Sequence, residues 1–196
     1  MTANKEPKPM KQEIYISVDI ETNGPIPGPY SMLSLGAVAF DAEGNELGSF
    51  PRNFHTLVNA GEHPETMEFW NKNPQAYEET RKNLVYPADG MQDFNKWVKK
   101  FNGIPVFTAY PAGFDFTWVY WYLIAFCQES PFSFSALDIK SYVAGLTGKP
   151  YRQCTKKNMP KRWFPAAKHS HIAIEDAREQ GLLFINILKE ARCQSL

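Results

Sequence analysis

The pattern of apolar and polar positions in the first part of the chain predicts three β-strands. Residues 13–18 form an apolar run, and residues 31–40, which read SMLSLGAVAF, form a second run of small and apolar side chains. The turn residues DAEGN at 41–45 then lead into a third segment at 47–58. Short apolar runs joined by turn residues are typical of paired strands, so we expect an antiparallel meander here.

Helical periodicity follows and alternates with further strands. Prolines in the first turn and apolar residues spaced by three or four predict the helices. The predicted segments are helices at 64–70, 74–81, 90–101 and about 114–127, a strand at 104–110, a helix capped by Asp138 and continuing through Val143, and a long amphipathic helix at 172–191. An antiparallel start followed by alternating helices and strands predicts an α/β domain with a mixed sheet.

Length and composition are consistent with a single domain. A chain of 196 residues that is 43% hydrophobic can bury a full core, and we expect one domain at 13–196 after a flexible polar tail at 1–12. The tail lacks the apolar core of a signal peptide, and the longest apolar run, at 116–127, is shorter than the ~20 residues needed to cross a bilayer. Three widely spaced cysteines indicate neither a disulfide framework nor a zinc site. We therefore expect a cytoplasmic protein with no membrane partner.

The net charge is zero, but the charges are unevenly distributed. No Asp or Glu occurs between Asp138 and Glu175, whereas this interval holds eight of the 21 Lys and Arg residues. The rest of the chain has 13 basic and 21 acidic residues, a net charge of −8. The basic segment, residues 140–168, also contains Tyr142, Tyr151, Trp163 and Phe164. It could bind phosphates and stack on unpaired bases, or it could be a solvated loop whose aromatic rings pack inward.

Two acidic residues stand at the end of the first apolar run. In a strand, residues i and i+2 point to the same face, so the carboxylates of Asp19 and Glu21 are expected to lie side by side. Their mutual repulsion would raise one pKa unless a divalent cation keeps both ionised. A site of hard oxygen ligands for Mg²⁺ or Mn²⁺ explains the pair, and a strand emerging into solvent is the alternative.

Further candidate residues lie at the starts of two predicted helices. Asp115 follows a glycine at the start of the helix near residue 114, and His171 and Asp176 flank the start of the last helix. Each could instead serve only the electrostatics of a helix end. Glu175 and Glu179 are expected on the solvated side of the last helix.

Three motifs occur in the order DIETNG at 19–24, GFD at 113–115 and H-x-x-x-x-D at 171–176. Together they resemble the motifs of the DEDDh exonucleases, a family that includes the proofreading subunit of bacterial replicative polymerase, ribonuclease T and oligoribonuclease. The resemblance spans most of the chain. It implies a single-domain α/β fold of the ribonuclease H-like type, with a mixed β-sheet flanked by helices, which agrees with the predicted order of elements.

The resemblance also implies roles for individual residues. The carboxylates that match the family's metal ligands are Asp19, Glu21, Asp115 and Asp176. They would bind two Mg²⁺ or Mn²⁺ ions about 3.5–4 Å apart, one activating water and the other stabilising the leaving 3′ oxygen. His171 would be the general base, for which a neutral imidazole is suited. His169 is the other candidate base, but the family spacing selects His171.

The implied activity is metal-dependent 3′-5′ exonuclease cleavage of single-stranded RNA or DNA ends, with release of nucleoside 5′-monophosphates. Thr22, Asn23 and Gly24 would approach the terminal sugar, since glycine allows close backbone approach. The segment PETMEFWNKNPQA at 64–76 resembles a bacterial exoribonuclease-like subgroup, which slightly favours RNA. A homodimer is possible, as in some relatives.

One departure and two alternatives accompany this interpretation. Many relatives have a His-Asn pair shortly before the second motif, whereas this chain has Tyr110 and Pro111 there, which affects the expected nucleotide pocket and not the metal site. A nucleic-acid-binding module on the same fold that does not cleave is one alternative. A metal-dependent phosphodiesterase acting on a small nucleotide is the other.

Overall fold

The first three strands pair as the predicted antiparallel meander and lie at the centre of a mixed six-stranded sheet. The computed structural model describes residues 12–165 and 170–194. The strands are β1 (Glu13–Thr22), β2 (Met32–Phe40), β3 (Glu46–Phe54), β4 (Leu84–Val85), β5 (Ile104–Ala109) and β6 (Leu137–Asp138). Their order is β4-β3-β2-β1-β5-β6, and β5 pairs parallel with both β1 and β6.

Helices cover both faces of this sheet. They are α1 (Pro64–Lys72), α2 (Pro74–Thr80), α3 (Pro87–Lys99), α4 (Ala112–Cys127), α5 (Ile139–Thr147) and α6 (Ala173–Gln194). Within the basic segment the chain forms three single-turn 3₁₀ helices at Tyr151–Gln153, Lys156–Asn158 and Lys161–Trp163. The side chain of Asp138 accepts a hydrogen bond from the Ser141 N–H and caps α5, as predicted.

Alternation along β1 divides the interior into two apolar cores. Ile14, Ile16, Val18 and Ile20 point to the core formed with α3 and α4, whereas Tyr15 packs in the core formed with α5 and α6. Since odd positions share the α6 face, Asp19 and Glu21 lie on that side at the end of the strand. All nine residues of β2 are buried, because this strand lies between β1 and β3 and is covered on both faces.

The start of α6 lies unusually close to the sheet because two positions lack side chains. A methyl group at Gly36 on β2 would stand 2.2 Å from the carbonyl carbon of Ala173 and 2.3 Å from its oxygen. Farther along α6, a methyl group at Gly181 would stand 2.4 Å from the ring of Phe40. Gly36 is the direct partner of Asp19 in the β1–β2 pairing. This close packing therefore brings the first turn of α6 to the end of β1.

Several predicted boundaries differ from the structure. β1 continues to Thr22 instead of ending at residue 18, and β3 ends at Phe54 instead of residue 58. The helix predicted at 90–101 is shifted to Pro87–Lys99, since Pro87 occupies the first turn. β4 and β6 were not predicted because two-residue strands exist only through pairing with a neighbour. Except for Gln12, the predicted tail lies outside the described residues.

Replacing Gly36 by alanine should lower the free energy of unfolding by about 1–3 kcal/mol. The added methyl group would clash with backbone atoms of α6, which cannot move away without displacing the helix. Urea denaturation of the variant and the parent measures the difference. Gly145→Ala is the matched control: no atom lies within 4 Å of its added methyl group, and alanine is preferred inside a helix. Equal stability of Gly36→Ala and the parent would contradict the close approach described above.

Candidate active site

The carboxylates of Asp19 and Glu21 both project from the last four residues of β1. Both residues are half-buried and lie on the face covered by α6, so neither points into open solvent. Their partners across the strand pair are Gly36 and Ser34, which are small enough to leave room above the sheet. The side-by-side arrangement expected from the i, i+2 spacing is therefore present, and the solvent-facing alternative does not apply.

Asp115 reaches the same place from α4. It lies in the first turn of that helix and is 5% exposed. Its Oδ1 atom accepts a hydrogen bond of 3.2 Å from the backbone N–H of Ile20, the residue between Asp19 and Glu21. Asp115 is thereby tied directly to the strand that carries the first acidic pair, 95 positions earlier in the chain.

Asp176 and His171 complete the group from the start of α6. Asp176 is 1% exposed, and its two carboxylate oxygens accept 2.8 Å hydrogen bonds from the backbone N–H groups of Ser170 and His171. His171 has a backbone φ of 57°, in the left-handed region that residues other than glycine and asparagine seldom adopt. The hydrogen bond to Asp176 helps hold that conformation. His169, the other candidate base, and Lys168 lie outside the described residues.

The four carboxylates are close enough to interact strongly. Burial, followed by the negative charges of Asp115, Glu21 and Asp176, raises the pKa of Asp19 well above its ordinary value. Burial and the charges of Asp176 and Asp115 raise the pKa of Glu21 to about 8. Burial raises the pKa of Asp115 to about 7, although the hydrogen bond from Ile20 opposes this shift. Carboxylates from three distant parts of the chain thus share one small volume.

This donor set fits a divalent cation. Ligand atoms of Glu21, His171 and Asp176 all lie within 4.8 Å of one another. Carboxylate oxygens are the hard ligands that Mg²⁺ and Mn²⁺ prefer, and a bound cation would favour the ionised carboxylates and offset the repulsion that contributes to the raised pKa values of Asp19 and Glu21. Asp19 lies two residues before Glu21 on the same face of β1, and Asp115 is held beside this pair by its hydrogen bond from the Ile20 N–H.

The Thr22–Gly24 turn, expected to approach substrate, is tightly organised within the protein. The Asn23 side chain accepts a 2.6 Å hydrogen bond from the Ser31 N–H and donates one of 3.2 Å to the Gly61 carbonyl. The Thr22 hydroxyl donates to the Gly24 carbonyl, and a methyl group at Gly24 would overlap the Tyr30 ring at 2.1 Å. All three residues are buried. The side chains of Thr22 and Asn23, and the absence of one at Gly24, therefore shape the turn beside the acidic group.

A cleft opens next to His171. It has a volume of about 570 Å³ and lies between the loop of residues 170–172 and the α1–α2 junction, where Asn73 and Gln75 line it. Phe69 of α1 is 38% exposed and meets the His171 ring edge-on, with ring centroids 5.2 Å apart. Trp70 anchors α1 by donating from its indole nitrogen to the Thr22 carbonyl at 2.8 Å. Phe69 and Trp70 of the PETMEFW segment thus place α1 beside His171 and the end of β1.

The aromatic residues of the basic segment differ in burial, and most of its cations are exposed. Trp163 packs inward, at 3% exposure, whereas Tyr151 is 48% exposed and lies under the ammonium of Lys140 at 4.3 Å. Lys149, Arg152, Lys157 and Lys161 are exposed. Arg162 is paired with Glu190 of α6. The described part of the segment therefore has a packed inner side and a cationic outer side.

Glu179 corrects one prediction from the sequence. It was expected on the solvated side of α6 but is 5% exposed, and it accepts a 2.5 Å hydrogen bond from the ammonium of Lys156. Glu175 is exposed, as expected. The spacing of Glu179 three residues after Asp176 was the available signal, since positions i and i+3 share one face of a helix. Nothing in the local sequence distinguishes its partner Lys156 from the other cations of the basic segment.

A mixed sheet whose first strand ends in converging acids, completed by a histidine and an aspartate at the last helix, defines the DEDDh class of 3′-5′ exonucleases. The chain belongs to the Rv2179c-like family of 3′-5′ exoribonuclease domains, whose family model matches residues 14–188. A relative, the 3′-5′ DNA exonuclease Cap18 of Escherichia coli, is 34% identical over 184 residues, covering 88% of this chain and 90% of Cap18. The protein is therefore a 3′-5′ exonuclease, a hydrolase acting on nucleic acid.

Solved structures of nucleases share the fold at low sequence identity. A 3′-exonuclease recognising the 3′ end of histone mRNA stem-loop has a TM-score of 0.69 and 8% identity, covering 92% of this chain and 65% of its own. The nuclease domain of 3′hExo, a DEDDh family member bound to rAMP, has a TM-score of 0.64 and 9% identity, covering 94% and 95%. S. pombe Pop2p, bound to Mg²⁺ and Mn²⁺, has a TM-score of 0.55 and 16% identity, covering 88% and 82%. These likenesses support the predicted ribonuclease H-like fold.

No helix within residues 12–165 and 170–194 combines the length and apolarity required to span a membrane.

The metal-free protein should become less stable as pH rises from about 5 to about 8.5. The raised pKa values of Asp19, Glu21 and Asp115 mean that the folded protein binds more protons than the unfolded chain in this interval, so the free energy of unfolding falls with pH. The expected loss is on the order of 3 kcal/mol. Urea denaturation in EDTA measures it.

Two controls accompany this pH experiment. Saturating Mn²⁺ should stabilise the protein more at the alkaline end than at the acidic end, because the cation binds the ionised carboxylates. The Asp19→Asn, Glu21→Gln double variant should show a flatter dependence in EDTA. Stability that rises over the same interval in EDTA would contradict the electrostatic description of the site.

Proposed function

We propose that the protein removes nucleotides one at a time from the 3′ end of single-stranded nucleic acid and releases nucleoside 5′-monophosphates, with RNA favoured over DNA. The observation that carries this proposal is the convergence of Asp19, Glu21, Asp115 and Asp176 next to His171. A module that only binds nucleic acid has no need of buried carboxylates that repel one another.

The proposed role of the four carboxylates is to hold two Mg²⁺ or Mn²⁺ ions. When bound, such ions activate water and stabilise the negative charge that develops on phosphate oxygens and on the leaving 3′ oxygen. The Asp115 and Asp176 carboxylates are fixed for this purpose by backbone N–H donors, and those of Asp19 and Glu21 by their places in the sheet.

His171 is the proposed general base. Its ring is restrained by the edge-on contact with Phe69, and its backbone by the hydrogen bond to Asp176. In the reaction the neutral imidazole accepts a proton from water while the water oxygen bonds to phosphorus. The bond from phosphorus to the penultimate nucleotide's 3′ oxygen breaks, and that oxygen leaves with the electron pair and takes up a proton. The products are a 5′-monophosphate and a shortened strand.

Two features support the proposed preference for single-stranded 3′ ends and for RNA. The partly exposed ring of Phe69 contacts His171, which lines the cleft, and an aromatic face can stack on an unpaired base of any identity. The family is described as one of exoribonuclease domains, which supports RNA, whereas the relative Cap18 is described as a DNA exonuclease. The backbone of Thr22 to Gly24 is the proposed neighbour of the terminal sugar, where a 2′-hydroxyl would be recognised.

Asp19→Asn should lower turnover of a 3′-labelled oligonucleotide at least about a hundredfold, because removing one charged ligand weakens both cation binding and charge stabilisation. The fold should be retained, since the substitution removes a mutually repelled charge. Glu175→Gln is the matched control, as it neutralises an exposed acid next to Asp176. The measurement is product release in Mg²⁺ or Mn²⁺ followed by gel electrophoresis. Digestion by Asp19→Asn at the parental rate would exclude the proposed site.

Matched single-stranded RNA and DNA oligomers of one sequence, digested in parallel, test the substrate preference. We expect both to shorten from the 3′ end, with the RNA shortened faster, and duplex forms of each to shorten more slowly. A 5′ label should yield a ladder of intermediates, whereas a 3′ label should appear directly in mononucleotide. Faster digestion of DNA would overturn the RNA preference and leave the exonuclease activity in place.

A further inference from the structure

Lys156 lies in the second 3₁₀ turn of the basic segment and is held against α6 by Glu179. The hydrogen bond from its ammonium to Oε2 of Glu179 is 2.5 Å long, and its side chain remains 30% exposed, while that of Glu179 is 6% exposed. Glu179 follows Asp176 by three positions on the same helix, so the two carboxylates lie on one face of α6. Lys156 is therefore attached one helical turn away from the acidic group.

Tyr110 and Gln180 fix this lysine relative to β1. The ammonium of Lys156 lies 5.8 Å from the centre of the Tyr110 ring, and the Tyr110 hydroxyl donates to the Cys154 carbonyl at 2.9 Å. The Tyr110 N–H donates to Oε1 of Gln180 at 3.1 Å, and Nε2 of Gln180 donates to the Val18 carbonyl at 2.5 Å. This chain of contacts ends one residue before Asp19.

The Lys156 ammonium has hydrogen-bonding capacity beyond its ion pair with Glu179. An ammonium has three N–H donors, of which Glu179 takes one, and the side chain is partly exposed. A partly exposed cation with N–H donors to spare thus lies one helical turn from Asp176.

Holding the basic segment to α6 does not require Lys156. Arg162 already links the same two parts of the chain, through two hydrogen bonds of 2.8 and 2.6 Å to Glu190, and the Trp163 indole donates to the same carboxylate at 2.7 Å. A buried glutamate beside a group of repelling carboxylates is unfavourable on its own. A neutral pair at these two positions could also join the basic segment to α6. A lysine at this place additionally supplies a positive charge that can bind an anionic ligand.

We propose that Lys156 binds a non-bridging oxygen of the phosphate being cleaved, and that Glu179 acts as its positioning residue. The inference rests on the proposed function and extends it, since it assigns the phosphodiester group a direct protein contact. The scissile phosphodiester is an anion, and its oxygens gain negative charge as water attacks. A fixed ammonium donor stabilises that charge more than it stabilises the ground state.

The test uses variants of Lys156 and a matched control from the second ion pair. Lys156→Met removes the ammonium, Lys156→Arg keeps a cation, and Lys156→Met combined with Glu179→Gln removes both charges so that no buried carboxylate is left unpaired. Arg162→Met removes the other cation that joins the basic segment to α6. Two substrates are compared in Mn²⁺: a single-stranded oligonucleotide and the p-nitrophenyl ester of thymidine 5′-monophosphate, which has one phosphodiester and no further nucleotides.

We expect kcat on the small ester to fall at least about tenfold in Lys156→Met and in the double variant, to recover partly in Lys156→Arg, and to stay at the parental value in Arg162→Met. The oligonucleotide should show the same order. An increase in KM with unchanged kcat, seen only with the oligonucleotide, would assign Lys156 to binding along the strand and overturn the proposal. Parental kcat in the double variant would also overturn it.

Two further measurements keep the outcomes distinct. The first is the Mn²⁺ affinity of each variant, measured by calorimetry. If saturating Mn²⁺ restores the parental kcat to the double variant, Lys156 acts through the cation site and the proposal is wrong. Thermal denaturation shows whether each variant remains folded. An inactive parent protein would remove the proposed function itself, whereas an active parent, an inactive Asp19→Asn and a fully active double variant would reject only the inference about Lys156.

Discussion

The crowding of like charges at the end of β1 is the constraint on which the rest of this structure depends. Three separate elements each bring an acid to the same place, and the resulting repulsion must be offset by packing elsewhere. Gly36 and Gly181 contribute by allowing α6 to lie directly on the sheet, and the backbone donors to Asp115 and Asp176 contribute by holding two of the acids in fixed positions. Packing in the apolar cores on both faces of the sheet offsets the destabilisation that this arrangement causes.

The α6 helix links the two sides of the site. One face carries Asp176 towards β1, and residues three and four positions later fix the basic segment and Tyr110 through Glu179 and Gln180. The acidic centre and the cationic segment are therefore parts of one helical framework, although they differ in charge and lie apart in the sequence. Such a framework suits a polyanionic ligand that must approach carboxylates, because nearby cations reduce the repulsion it meets.

Much of this arrangement could be predicted from sequence, because its signals are local. The Asp19–Glu21 spacing, the capping role of Asp138 and the long amphipathic helix follow from periodicity within a few residues, and the order of three motifs indicated the family. The spacing of Glu179 from Asp176 indicated a shared helix face, but its ion pair with Lys156 could not be predicted in this way, since that lysine lies in an irregular segment 23 positions earlier. The inward hydrogen bonds of Asn23 likewise depend on Ser31 and Gly61, which no repeating pattern connects to it.

The hydrogen bond between Gln180 and Val18 spans 162 positions. A chain without that helix lacks Asp176 and therefore has an incomplete centre. Because the contact joins residues so far apart in the sequence, completion of the centre depends on long-range closure of the chain.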